Sequence, residues 1–145
     1  MSAEPKTEPN VQQAVPFFMI TDMDRSLKFY LDGLGFEMKM KWVPRGKIEW
    51  CWLQLGGAAL MLQEYRNDAH QVRKPEGRVG EGVSICFMCR DAIAIYRQVK
   101  QRGLQVKTPF VGNRLWVTQL VDPDGYKLDF ESPTDVPEET IYHEN

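Results

Sequence analysis

The stretch ITDMDRSLKFYLDGLGFE, residues 20–37, carries a helix start, an apolar face and a helix stop in one line. Asp22 is a natural N-cap, because its carboxylate can accept one of the amide hydrogens left free in a helix's first turn. Met23, Leu27, Tyr30, Leu31 and Leu34 follow at helical spacing, and Gly35 supplies the stop. The apolar run AVPFFMI before Asp22 reads as a strand, so the unit is strand, cap, helix, stop.

The same order recurs in the second half. GVSICFMCR meets Asp91, Ala92, Tyr96 and Val99 share one helical face, and Gly103 ends it. Each helix is followed by three strand-like runs. In the first half these are FEMKMKW, IEWCWLQL and AALMLQEY, with a Gly56-Gly57 turn. In the second they are LQVKTPF, LWVTQLV and YKLDFES, with a turn at Asp122-Pro123-Asp124-Gly125. Cap, face, stop and turn repeat at one offset to within a residue, which makes the chain a tandem pair of βαβββ units. The fold class expected is α+β. The reading divides the chain into a tail, 1–13, a single domain, 14–132, and a second tail, 133–145. Within the domain, module one is 14–65, a charged linker 66–81, and module two 82–132.

At 145 residues the chain is long enough for one domain with its own core. Eighteen Lys and Arg against twenty Asp and Glu give a net charge of −2, with no basic stripe for nucleic acid or anionic lipid. The opening residues lack a secretory signal's basic start and apolar centre, and no apolar run is long enough to span a membrane. These features predict a cytoplasmic protein. Cys51, Cys86 and Cys89 lie in apolar segments and read as buried thiols rather than a disulfide framework.

Two of these segments, ITDMDRSLKFYLDGLGFE and VDPDGYKLDF, resemble signatures of the vicinal oxygen chelate superfamily. That superfamily includes glyoxalase I, extradiol dioxygenases, fosfomycin-resistance transferases and bleomycin-resistance proteins. The resemblance runs over residues 14–132 and implies an eight-stranded, half-open barrel around a ligand cavity. In the family's metalloenzymes, ligands to a divalent ion stand seven residues before each helix cap and four after each turn glycine. Those positions are Val15, Ser84, Met61 and Asp129 here. A valine, a methionine, a neutral serine and one aspartate cannot replace the hydration of a divalent ion. No metal and no other cofactor is expected.

Other chemistry is thin. His70 lies in the linker and His143 in the tail, and both read as solvated imidazoles. Cys86 and Cys89 are three apart on a strand, so their side chains leave opposite faces and cannot converge. There is no phosphate loop and no nucleophile elbow.

Strand alternation directs Phe18, Ile20, Ile85 and Phe87 to the helices, and Phe17, Met19, Ser84, Cys86 and Met88 to the cavity. Met61 and Gln63 join them from the fourth strand, and Asp129 and Glu131 from the last. Trp50 and Trp52 share one face of their strand, either as core or as an aromatic wall for a ligand. The candidate site is therefore Phe17, Met19, Trp50, Trp52, Met61, Gln63, Ser84, Cys86, Met88, Asp129 and Glu131. Its apolar lining with an acidic corner suits an aromatic or cationic organic molecule.

The resemblance is to the metal-free, bleomycin-resistance-like branch, which implies sequestration at the interface of a homodimer. The other expectation is a divergent lyase, isomerase or dioxygenase that uses Asp129 or Glu131, with or without a divalent metal.

Overall fold

The computed structural model describes residues 8–144. Module one runs β1 (Phe17–Ile20), α1 (Met23–Leu27) with a π-helical continuation over Lys28–Gly33, then β2 (Glu37–Trp42), β3 (Trp50–Leu55) and β4 (Ala58–Glu64). Module two runs β5 (Ser84–Met88), α2 (Ala92–Gln101), β6 (Phe110–Gly112), β7 (Leu115–Val121) and β8 (Lys127–Pro133). The sheets have matching orders, β1-β4-β3-β2 and β5-β8-β7-β6, with the outer pairs β1·β4 and β5·β8 parallel. The fold is the expected α+β pair of βαβββ modules.

Both helix starts form as the sequence requires. Asp22 and Asp91 are extended, at φ −148° and −151°, and their carboxylates accept from the Arg25 and Ala94 amides at 3.1 and 2.9 Å. Gly35 and Gly103 take up φ +87°, the left-handed conformation that ends a helix.

The first helix departs from simple periodicity. After Leu27 it widens into a π turn, with the Leu34 amide donating to the Phe29 carbonyl and Phe36 to Tyr30. The wider turn brings Phe29, Tyr30 and Gly33 inward together, while Leu27 and Leu31 stay only partly covered. Phe29 was not in the apolar face that regular helical spacing marks out.

Strand β6 is also displaced from expectation. Residues 104–109 form no strand, and pairing begins at Phe110. Pro109 has no amide hydrogen to offer a ladder, and Asn113 and Arg114, at φ 52° and 64°, make the two-residue turn that joins β6 to β7. Beyond β8 the chain docks back on the sheet. The Val111 amide donates to the Thr140 carbonyl, and Tyr142 packs edge-on against Tyr96 and Trp116.

The sheets place their apolar residues as alternation demands. Phe18, Ile20, Cys51, Leu53, Leu60 and Leu62 are buried on the helix side of module one, and Phe87, Leu128 and Phe130 on that of module two. One core runs through both modules. Phe36 meets Phe87 edge-on at 6.1 Å, and Phe18 stacks on Tyr126 at 4.2 Å. Polar bonds cross the seam too. Tyr126 donates to the Met19 carbonyl at 2.7 Å, and the Thr21 hydroxyl to Asp124 at 2.6 Å.

Asp122 organises the turn that follows β7. Its Oδ1 accepts from the amides of Asp124, Gly125 and Tyr126, each at 2.9 Å, and its Oδ2 accepts from the buried Tyr30 hydroxyl at 2.8 Å. Gly80 of the linker lies against this turn. A Cβ there would stand 3.0 Å from the Gly125 oxygen and the Tyr126 Cα, and its φ is +70°. Gly80→Ala is therefore expected to cost about 2 kcal/mol, from a left-handed alanine pressed on immovable backbone. Urea unfolding at equilibrium measures it, with Gly77→Ala as a comparison at a left-handed glycine that has open space around it.

Candidate functional site

The face of each sheet opposite its helix is where the candidate residues gather. In module one the strand register forms two rows across the sheet. One runs Trp42, Trp50, Gln63, Met19, and the other Met40, Trp52, Met61, Phe17. Trp50 and Trp52 are half-buried, whereas Cys51 and Leu53 between them are fully buried. The two tryptophans thus stand on the open face.

Met40 and Trp42 join that face because β2 carries a bulge. Met38 registers with the buried Leu53, and Met40 with Trp52, so the bulge between them turns two residues of equal parity to opposite sides. Met38 packs on the core and Met40 is exposed. Strict alternation would have put both methionines on one side, which is why sequence reading missed Met40. The result is an aromatic and thioether surface in which Phe17, Met40 and Trp42 are 42, 52 and 53% exposed.

Module two presents a different surface from the equivalent positions. Ser84 registers with Lys127, Cys86 with Asp129, and Met88 with Glu131. By the repeat, Phe17 and Met61 of module one correspond to Cys86 and Asp129, and Met19 and Gln63 to Met88 and Glu131. One face is apolar and its counterpart is ionisable.

Asp129 is 8% exposed, and burial raises its carboxyl above the ordinary aspartate range. A hydrogen bond with Gln119 and the charges of Lys107 and Lys127 act in the opposite direction. The acidic corner is thus faced by two ammonium groups. Asp129 lies in a cavity of about 350 Å³ with Val106, Lys107, Gln119, Val121 and Lys127, whose walls come from module two alone.

The raised carboxyl has a consequence for stability. The folded state holds this proton more tightly than the unfolded chain, so the group favours folding most at low pH. Its contribution falls as pH rises from the unfolded aspartate range through the folded value. Asp129→Asn, which keeps an acceptor for Gln119 and never ionises, is expected to raise the melting temperature at pH 7 by a few degrees. It should also flatten the pH dependence between about 4 and 7. Calorimetry across that range measures both.

Cys86 is exposed rather than the buried thiol expected, because it lies on the open face of β5 beside Asp129, with its sulfur 3.7 Å from Glu131 Oε1. Burial, then the carboxylates of Glu131 and Asp129, push the thiol pKa up. One donor atom each from Cys86, Asp129 and Glu131 lies within 4.8 Å of the others. The parallel β5·β8 register brings this trio together, a pairing between distant strands that single-strand alternation does not reveal.

The family-type ligand positions do not fit a divalent ion. Val15 precedes β1 and has no donor, Met61 sits beside Phe17 in an apolar row, and Ser84 sits beside Lys127. The cysteine and carboxylate trio shares only Asp129 with those positions and adds Cys86 and Glu131. Its ligation would require the thiol to ionise against two neighbouring acids. Of the remaining cysteines, Cys51 is buried with its thiol pushed up to about 11, and Cys89 donates to the Glu131 carbonyl at 3.4 Å. Trp116 packs on Tyr142, away from the open faces.

Two tandem βαβββ modules with matching strand orders define an α+β scaffold of the paired-module class. The chain belongs to the Glyoxalase/Bleomycin resistance protein/Dioxygenase superfamily, whose family model matches residues 12–130. Similar solved structures include TioX from Micromonospora sp. ML1, at 18% identity and a TM-score of 0.67, covering 85% of this chain and 99% of that one. A bleomycin-binding protein complexed with bleomycin shares 24% identity at a TM-score of 0.63, with 84% and 98% covered. A bleomycin resistance determinant encoded on the transposon Tn5 shares 25% at 0.64, with 87% and 100% covered. No curated protein sequence matches the chain.

Proposed function

We propose that this protein is a metal-free, cytoplasmic sequestering protein that holds an aromatic or cationic organic molecule against the open face of module one, in a homodimer. The observation that carries this reading is the surface of Phe17, Met19, Met40, Trp42, Trp50, Trp52 and Met61. A folded chain gains by covering such apolar area, and flat aromatic rings are selective for planar or cationic ligands. The likeness to a bleomycin-binding protein supports a binding role without naming the ligand. Among the described residues, no helix is long and apolar enough to cross a membrane.

Three measurements on the purified protein test the reading. Light scattering at micromolar concentration should give a dimer. Metal analysis should give far less than one equivalent of Mn, Fe, Ni or Zn. A thermal-shift screen of planar aromatic and cationic compounds should find ligands that raise the melting temperature, by several degrees at saturation. A monomer, a stoichiometric metal lost on Asp129→Ala, or silence across the screen would each overturn a part of it.

A second reading rests on one specific observation, the buried Asp129, whose pKa burial raises, beside Cys86 and Glu131. In its ionised form, a carboxylate whose proton affinity is raised by burial can take a proton from a substrate carbon, which is the chemistry of an isomerase or lyase. Turnover that vanishes in Asp129→Asn and survives Trp52→Ala would favour this reading over sequestration.

A further inference from the structure

The largest cavity described lies off the open face of module one and meets that of module two only at its edge, through Cys86 and Met88. It is a groove of about 850 Å³ at the seam between the modules, walled by the helix end and β3–β4 turn of module one and by β5 and α2 of module two. Leu34, Leu55, Phe87, Met88 and Ile95 give it an apolar lining. Its charged lining residues are Arg90 and Arg102, with no aspartate or glutamate among them. Arg102 is held in place by donating to the Gly33 carbonyl at 3.0 Å, across the seam. Arg90 is exposed and makes no ion pair among the described residues.

We infer that this groove is a second ligand site, for a small amphipathic anion whose apolar body lies along the seam and whose carboxylate or sulfonate meets the guanidinium groups. An apolar trough of this volume holds a drug-sized or medium-chain molecule. Two guanidinium groups without a competing carboxylate select the sign of the head group and can bind it in bidentate fashion. The charge preference is the reverse of that proposed for the open faces, where carboxylates stand beside an aromatic wall. The inference therefore does not rest on the proposed sequestration. Because the groove joins residues of both modules, its ligand would also brace the seam.

The test uses the full chain and three probes of equal tail length, decanoate, decanol and decyltrimethylammonium, each below its micellar concentration. Calorimetry gives the affinities and methyl NMR the place. Decanoate is expected to bind at least tenfold more tightly than decyltrimethylammonium and to shift the methyl signals of Ile95 and Leu55. Arg90→Glu, at an exposed position, should weaken decanoate at least tenfold. Gln98→Trp, on the exposed surface of α2, should block it by filling the groove, with circular dichroism unchanged in both variants. Arg90→Glu should leave binding of planar cations on the open face intact, so failure here is separable from failure of the sequestration reading. Equal affinity for the two charged probes, or unchanged decanoate binding in both variants, would overturn the inference. So would shifts confined to the Trp50 and Trp52 indoles, or loss of a dimer on Gln98→Trp, which would make the groove an interface between copies.

Discussion

Asp122→Ala is expected to destabilise the fold by about 3–5 kcal/mol, the largest effect of any single polar substitution here. Its carboxylate, 3% exposed, accepts from three backbone amides and from the Tyr30 hydroxyl. Alanine leaves the Asp124 and Tyr126 amides and the buried Tyr30 hydroxyl without their acceptor, while the Gly125 amide keeps only the carbonyl of residue 122. Part of the loss is offset, because burial raises this carboxyl's pKa and the charge itself is held at a cost.

Two milder variants separate the parts of that effect. Tyr30→Phe removes only the bond between modules and should cost about 1–2 kcal/mol. Asp122→Asn keeps an oxygen for the turn amides while giving up the charge, and should cost less than the alanine variant. Urea unfolding of the three proteins measures the order. Equal losses for Asp122→Asn and Asp122→Ala would show that charge, rather than the number of acceptor bonds, holds the turn.

Trp52→Ala is expected to weaken binding of a planar cationic probe such as thioflavin T at least thirtyfold, about 2 kcal/mol, the size of an interfacial hot spot. Trp52 stands between Met40 and Met61 on the open face, so its loss removes the centre of the aromatic wall. The double change Trp50→Ala, Trp52→Ala should exceed a hundredfold. Trp116→Phe is the control, since Trp116 packs on Tyr142 and contributes nothing to that face. Fluorescence titration at constant protein concentration measures all three, and light scattering separates lost affinity from lost dimer.

Helix caps, turn glycines and strand faces were legible because each is a local matter. Asp22 and Asp91 cap wherever a helix begins beside them, and Phe18 and Ile20 part from Phe17 and Met19 on any strand. The βαβββ repeat was visible for the same reason, and so was the resemblance carried by residues 20–37 and the turn at 122–125. The eleven candidate residues were assigned by alternation, which separates open-face from core residues along β3. Trp50 and Trp52 are half-exposed while Cys51 and Leu53 are not.

Tertiary structure decided what depends on one segment meeting another. The π turn that buries Phe29, the bulge that divides Met38 from Met40, and the late start of β6 after Pro109 each alter a face or boundary that local pattern assigns differently. The meeting of Cys86, Asp129 and Glu131 required the parallel register of β5 and β8, separated in the chain by a helix and two strands. The two lysines that oppose Asp129, and the groove between Leu55 and Arg90, required the packing of strands and modules that lie far apart in sequence. The sequence by itself determined the two modules, their caps and their inner and outer faces, since those follow from backbone periodicity and the nearest few residues. Register and module packing, which place charge against apolar surface, were set only by the folded chain, because they minimise exposed area over contacts that no short window contains.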